Sequence, residues 1–283
     1  MREFKHLLGI DLESWVLLDK AFGKVLTNKQ RLEIDNGEIL RSLDEILLIL
    51  KKNNQKVTFF VVFRLEELYP GIIKKILDSG HEVGWHGYSH APLTNKTILK
   101  KELAKSEQLL NKYKIKGFQA PYIIFFKEGY KILKEYGLTY SSSIYGNSQK
   151  IYNFNGILEI PVSTNKKSFN PGRNEVRFPS HMSIKNLLKF GIPFGSSYFW
   201  SIFKKSYYQK KFDVANSEKQ VVNIFTHNWQ LYPKPQIKSW NNKLLIFLKN
   251  PLFYPYTINV SEVFKFLLKN YKFQRFEDFL DEN

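Results

Sequence analysis

Cysteine is absent from the 283 residues, which excludes disulfides, thiolate metal sites and cysteine nucleophiles. Long hydrophobic runs are missing too. The longest apolar stretch, Val57 to Phe63, includes a threonine and has the length of a strand, far short of the ~20 residues that span a bilayer. The first apolar piece, Leu7 to Ile10, is broken by Asp11 before a secretory core could form, so a cytoplasmic location is expected. Acidic residues are outnumbered, 26 against 43 lysines and arginines, for a formal charge of +17. Internal repeats and low-complexity tracts do not occur. Histidine is scarce as well: of six in the chain, three fall between His81 and His90.

What is present is a full core. Hydrophobic residues make up 43% of the chain, with 24 Phe and 16 Tyr, enough for an aromatic-rich interior. The first half alternates strand and helix patterns. Strands are expected at Phe4–Ile10, Val57–Phe63, Glu82–Trp85, Ile115–Gln119 and Leu138–Ser142. Helices are expected at Gly37–Asn53, Pro70–Ser79, Thr94–Tyr113 and Lys127–Tyr136. Such alternation implies parallel strands with right-handed crossovers. Candidate active residues recur just after strands, at Asp11, His86, Pro121 and His227, which favours a barrel over a doubly wound sheet. Residues 165–220 break the rhythm, with prolines and glycines at no fixed period, and read as an irregular aromatic and basic excursion from a single domain, residues 1–283. Val221–Thr226 is then a strand, and Ser261 is expected to cap a last amphipathic helix.

Between Glu175 and Asp213 no acidic residue occurs, while Arg177, Lys185, Lys189, Lys204, Lys205, Lys210 and Lys211 alternate with aromatics from Phe190 to Tyr208. Three readings stay open. The segment is a solvated basic face over aromatic packing, a peripheral contact with an anionic membrane, or a single-strand nucleic-acid surface. No nucleic-acid motif accompanies it, so no nucleic-acid partner is expected.

The chemistry concentrates in four places. Asp11 and Glu13 end the first strand, and strand alternation places both on one face. His86 and His90 are four apart after an apolar strand end, a spacing that lets both rings face one side. Gln119-Ala120-Pro121-Tyr122 ends a later strand. His227-Asn228-Trp229-Gln230 follows another.

In this order the motifs resemble the polysaccharide deacetylase family, carbohydrate esterase family 4, and among its members the exopolysaccharide-associated branch, whose Asp-x-Glu motif and Pro-x-Gly-Gly-Gly-Tyr-like segment are echoed by Asp11–Glu13 and Pro193–Tyr198. The resemblance implies a distorted parallel (β/α) barrel and metal-dependent removal of an N-acetyl group from a sugar. It assigns Asp11 as general base, His227 as general acid, and Glu13, His86 and His90 as ligands of a divalent metal, zinc first, with cobalt or nickel as alternatives. Pro121 and Tyr122 would bring a backbone N–H to the oxyanion, Trp229 would wall the acyl pocket, and Gln119 stands beside the substrate site. These residue types suit amide hydrolysis, which needs an activated water, a polarised carbonyl and a proton for the leaving amine.

Four positions depart from the family pattern. Gln119 replaces an arginine that normally pairs with the base. A neutral amide can hydrogen-bond Asp11 but cannot lower its pKa by charge. Glu13 is longer than the usual aspartate. Asn228 and Gln230 remove a negative charge near His227. The expected function is deacetylation of a nucleotide- or lipid-linked sugar in surface polysaccharide or glycolipid assembly, at the inner face of the membrane. The alternatives are a weakened, glycan-binding barrel and an amidase or deformylase on another small amide.

Overall fold

The computed structural model describes residues 4–17, 22–146, 150–165, 178, 181–183, 186–188, 191–232 and 254–282. Its strands are β1 (Lys5–Leu12), β2 (Thr58–Val61), β3 (Glu82–Trp85), β4 (Gly117–Phe118), β5 (Tyr140–Ser141), β6 (Tyr145–Gly146), β7 (Tyr152–Phe154), β8 (Ile157–Glu159), β9 (Val162–Ser163), β10 (Asn223–His227) and β11 (Lys272–Gln274). Among the described residues, nine of them form one sheet in the order β10-β1-β2-β3-β4-β5-β8-β7, with β11 also on β1. Every pairing is parallel except β7 with β8. This matches the α/β distorted parallel barrel that the family resemblance implies.

The distortion has a visible cause. β6 and β9 pair apart from the main sheet, and the order from β9 to β10 is not continuous. Residues 195–196 bridge that gap: Gly195 N donates to Ser163 O at 3.0 Å, and Phe225 N donates to Gly195 O at 2.8 Å. Only glycine fits there, because a Cβ on Gly195 would fall 2.5 Å from Asn223 O and 2.8 Å from the Val162 side chain.

Strand register creates the site. Asp11 lies opposite His227, Leu12 opposite Val61, Val61 opposite Trp85, and Trp85 opposite Phe118. The residues that end or follow β1, β3, β4 and β10 therefore share one rim, the end of a parallel barrel where active residues gather. Below that rim the strands are apolar. Phe59, Val61, Trp85 and Phe118 are fully buried, with Trp85 against Phe118 at 5.2 Å between ring centroids.

Helices cover the outside. Glu38–Lys52 buries Ile39, Leu43, Ile46 and Leu50 at helical spacing, with Glu38 in its first turn and Lys51 and Lys52 in its last, charges that oppose the helix dipole. Lys96–Tyr113 is capped by Asn95, whose side chain accepts from Ile98 N at 3.0 Å.

The structure corrects several expectations. β4 and β5 are two residues long, shorter than their apolar runs. Ser261 is not the cap of the Ser261–Asn270 helix. Val260 holds the N-cap position without a side-chain cap, and Asn259 Oδ1, one residue before it, accepts from Ser261 N at 2.8 Å. Much of the 165–220 excursion (residues 166–177, 179–180, 184–185 and 189–190, with Arg177, Lys185, Lys189 and Phe190) lies outside the described residues. From residue 191 onward the segment is packed: Phe194, Tyr198, Phe199, Trp200, Tyr208 and Phe212 are buried. These aromatics serve the core and are not free for a membrane interface, while Lys204, Lys205 and Lys210 are exposed. Among the described residues, no helix is long and apolar enough to cross a membrane.

Candidate metal centre and catalytic cavity

The stretch from His86 to His90 is a tight loop, not a helical turn. It turns at Gly87, φ +78°, and His90 itself adopts φ +62°, a conformation unfavourable for a side chain with a Cβ. What holds it is Glu102, buried on the Lys96–Tyr113 helix. Its Oε2 accepts from Tyr88 N (2.9 Å) and Ser89 N (2.7 Å), and its Oε1 from Ser89 Oγ (2.8 Å). One turn later Ser106 accepts from the Trp85 indole at 2.9 Å. Neither residue was singled out from the sequence. Their signal was a carboxylate and a hydroxyl interrupting an otherwise apolar stripe, Leu99, Leu103 and Leu110.

With the loop fixed, ligand atoms of Glu13, His86 and His90 lie within 4.8 Å of one another. His86 Nδ1–H donates to Gln119 O at 2.9 Å, which leaves Nε2 as the free lone pair. The Trp229 indole donates to Glu13 Oε1 at 2.7 Å, and Glu13 Oε2 faces His90 Nε2 at 2.5 Å. Glu13 N donates to Asn228 Oδ1 at 3.0 Å, and Asn228 Nδ2 donates to Ser42 Oγ at 3.2 Å, tying the strand end to the Glu38–Lys52 helix. Two imidazole nitrogens and one carboxylate oxygen, with His86 and Glu13 each held by a further hydrogen bond, suit a divalent cation with open coordination positions.

Asp11 sits beside this cluster, its Oδ2 3.9 Å from His86 Nε2 and 3.7 Å from His227 Nε2. It is 2% exposed, and its Oδ1 has no hydrogen-bond partner among the described residues. Gln119 does not supply one. Its side-chain oxygen is likewise unpartnered, and its contribution to the site is the backbone carbonyl that orients His86. Burial first, and the Glu13 charge second, push the Asp11 carboxyl well above the usual range. Burial would raise Glu13 as well, but the His90, His227 and His86 rings outweigh it and hold Glu13 well below the usual carboxylate range. Burial, reinforced by His90, pushes His86 down to about 3, so its ring is neutral near pH 7.

His227 Nδ1–H donates to Gln230 Oε1 at 2.8 Å, and Ser197 Oγ donates to the same oxygen. This directs His227 Nε2 toward Asp11 and Glu13, each at 3.7 Å. Trp229 stacks on the His227 ring, centroids 4.8 Å apart. Trp229 thus braces two site residues besides lining the cavity.

Pro121–Ile123 forms a single 3-10 turn in which Tyr122 (φ +59°) and Ile123 (φ +54°) both lie in the left-handed region, a strained arrangement for non-glycine residues. The turn is anchored behind by buried Glu159, which accepts from Ser143 N at 2.6 Å, while Ser143 Oγ accepts from Ala120 N at 2.8 Å. Among the described residues no backbone acceptor takes the Tyr122 N–H. The Tyr122 ring lies against His90, centroids 4.5 Å apart.

A cavity of about 480 Å³ opens over these groups. Asp11, Glu13, His86, His90, His227, Tyr122 and Trp229 line it. Gln119 and Pro121 do not; both are buried behind the wall. His181, Tyr145 and Tyr256 line it without having been identified from the sequence. His81 lies elsewhere, accepting from Val57 N at 3.3 Å and packing on Phe59.

Residues 30–141 match the family model for polysaccharide deacetylases. A peptidoglycan-N-acetylglucosamine deacetylase from Bacillus cereus is 36% identical over 96 residues, 32% of this chain and 35% of that protein. The peptidoglycan-N-acetylmuramic acid deacetylase PdaA from Bacillus subtilis is 36% identical over 90 residues, 31% of this chain and 34% of its own. A crystal structure from Mycobacterium smegmatis, assigned to the polysaccharide deacetylases, superposes with a TM-score of 0.55 at 18% identity, covering 81% of this chain and 79% of that one, and shows the same fold. Residues 30–141 are thus similar to the polysaccharide deacetylase family. Its matches span about a third of those two Bacillus relatives. The matched region holds His86 and His90, while Asp11, Glu13 and His227 lie outside it and join them through the fold.

Proposed function

We propose that this chain is a divalent-metal-dependent hydrolase that removes the acetyl group from an N-acetylated amino sugar. The observation that carries the reading is the convergence, from three separate strand ends, of a Glu13–His86–His90 donor set with Asp11 and His227 pointing into the same cavity. The names of the matched relatives favour a peptidoglycan-type amino sugar over the surface-polysaccharide substrate expected from the sequence.

Glu13, His86 and His90 would hold the cation, for which zinc is proposed. Such an ion supplies Lewis acidity toward the acyl oxygen and makes water a nucleophile near neutral pH. Asp11 takes the proton of the attacking water. Its burial and lack of a partner make it a stronger base than a solvated carboxylate. The Tyr122 N–H, free of a backbone acceptor, donates to the developing oxyanion. His227, held by Gln230 through Nδ1, delivers a proton from Nε2 to the leaving amine. Trp229 keeps Glu13 and His227 in register and excludes water from one side.

The test is amine and acetate release from N-acetylglucosamine oligomers by zinc-loaded protein. Release that disappears in Asp11→Asn supports the reading. Tight glycan binding without release by the metal-loaded wild type would establish the alternative of a binding barrel.

A further inference from the structure

We infer that the substrate is an amphiphile, an N-acyl sugar with an apolar chain close to the scissile amide, and that the chain lies in the cavity. The inference rests on the deacetylase reading and narrows it. An acetyl group needs little room, yet the cavity's volume of about 480 Å³ falls within the roughly 300–1,000 Å³ of sites that enclose a whole small molecule. Part of the wall beyond the polar cluster is the wrong chemistry for sugar hydroxyls. Pro92, Ile123, Ile124, Met182, Leu187 and Phe225 offer no side-chain hydrogen bond, while Tyr145, Tyr198, Tyr256, His181 and Ser183 line the same cavity and can. A hydroxyl buried against the apolar residues loses its water partners without replacement, whereas a methylene gains.

Leu187 lines the cavity, and Leu188, next in sequence, is 79% exposed. Ile192 and Ile202, in the same acid-free stretch, are exposed at 36% and 51%. Exposed Lys204 and Lys210 follow in sequence, charges suited to an anionic group, while Lys205 is paired with Glu262 at 3.2 Å. The chain could come from either end of the substrate: a long acyl group on the nitrogen, or an apolar carrier on the sugar.

Three glucosaminides separate these sources, each used below its micelle-forming concentration: N-acetyl methyl, N-octanoyl methyl and N-acetyl octyl. Each fully buried methylene multiplies affinity about fourfold, so even partial burial raises kcat/KM for one octyl compound about tenfold or more over the N-acetyl methyl compound. The compound that gains identifies the end that carries the chain. Calorimetric titration of the metal-free protein gives a second readout, with the same preference in Kd, reduced in Ile124→Gln. Equal kcat/KM and equal Kd across the set overturn the inference and leave the deacetylase reading standing. No amine release from any compound overturns the deacetylase reading and the inference with it.

Discussion

The two sides of the candidate centre are built in opposite ways. The histidine loop is fully tied down: Glu102 takes the Tyr88 and Ser89 N–H groups, and Gln119 O takes the His86 Nδ1–H. The Asp11 corner is left open, with one carboxylate oxygen buried and, among the described residues, unpartnered. Buried polar groups are ordinarily paired, so the contrast is informative. Pairing fixes geometry where two imidazoles must meet one point. Its absence preserves basicity where a proton must be taken.

Substitutions at the paired side and at the open side should separate the two roles. The largest effect is expected from Glu13→Gln or His86→Ala, which remove a cation ligand and should abolish both metal binding and amine release. Asp11→Asn comes next. It should lower kcat by about 10²–10⁴-fold while leaving metal stoichiometry intact, since a general base contributes on that scale. Loss of metal in Asp11→Asn would erase the distinction between the two sides.

Glu102→Leu should weaken metal affinity about 10–100-fold, the usual cost of losing a group that orients ligands. Glu102→Gln, which keeps an acceptor for both N–H groups, should restore most of it. If chelator competition gives equal affinities for wild type and Glu102→Leu, the loop does not depend on its clamp.

The smallest effect at neutral pH lies far from the centre. His6 is buried, accepts from Val222 N and donates to Asn216, and burial pushes it down to about 4 from 6.5. A lowered folded-state pKa contributes stability that is complete above 6.5 and is lost as pH falls toward 4. Between pH 8 and 5 the wild type should lose about 2 kcal/mol more than His6→Gln in urea unfolding. Parallel losses in the two proteins would mean that His6 is not held neutral.

The barrel was legible because its signals are local. Apolar runs end in polar residues at Asp11, His86 and His227, and helical stripes intervene, so strand ends and site residues appear together in the sequence. What escaped depends on pairs distant in the chain. Asn228 meets Glu13 across 215 positions and Ser42 across 186, and nothing in either local pattern announces the partner. Gln119 looked placed to hydrogen-bond Asp11, but no such bond forms among the described residues, and its backbone carbonyl orients His86 instead. The aromatics from Phe194 to Phe212 suited an interface by composition. Only packing shows that they fill the core, because a buried and an interfacial aromatic are the same letter. At Ser261 the preferred capping residue type was in place, but the helix begins at Ser261 itself, so Val260 holds the N-cap position and Asn259 accepts from Ser261 N.

The central claim is that Glu13, His86 and His90 hold one divalent cation. Cobalt titration of the metal-free protein, followed by visible absorption, tests it most directly. The account predicts saturation at one ion per chain, lost in Glu13→Gln, His86→Ala and His90→Ala and retained in Asp11→Asn. Failure to saturate, or binding that survives all three ligand substitutions, would contradict it.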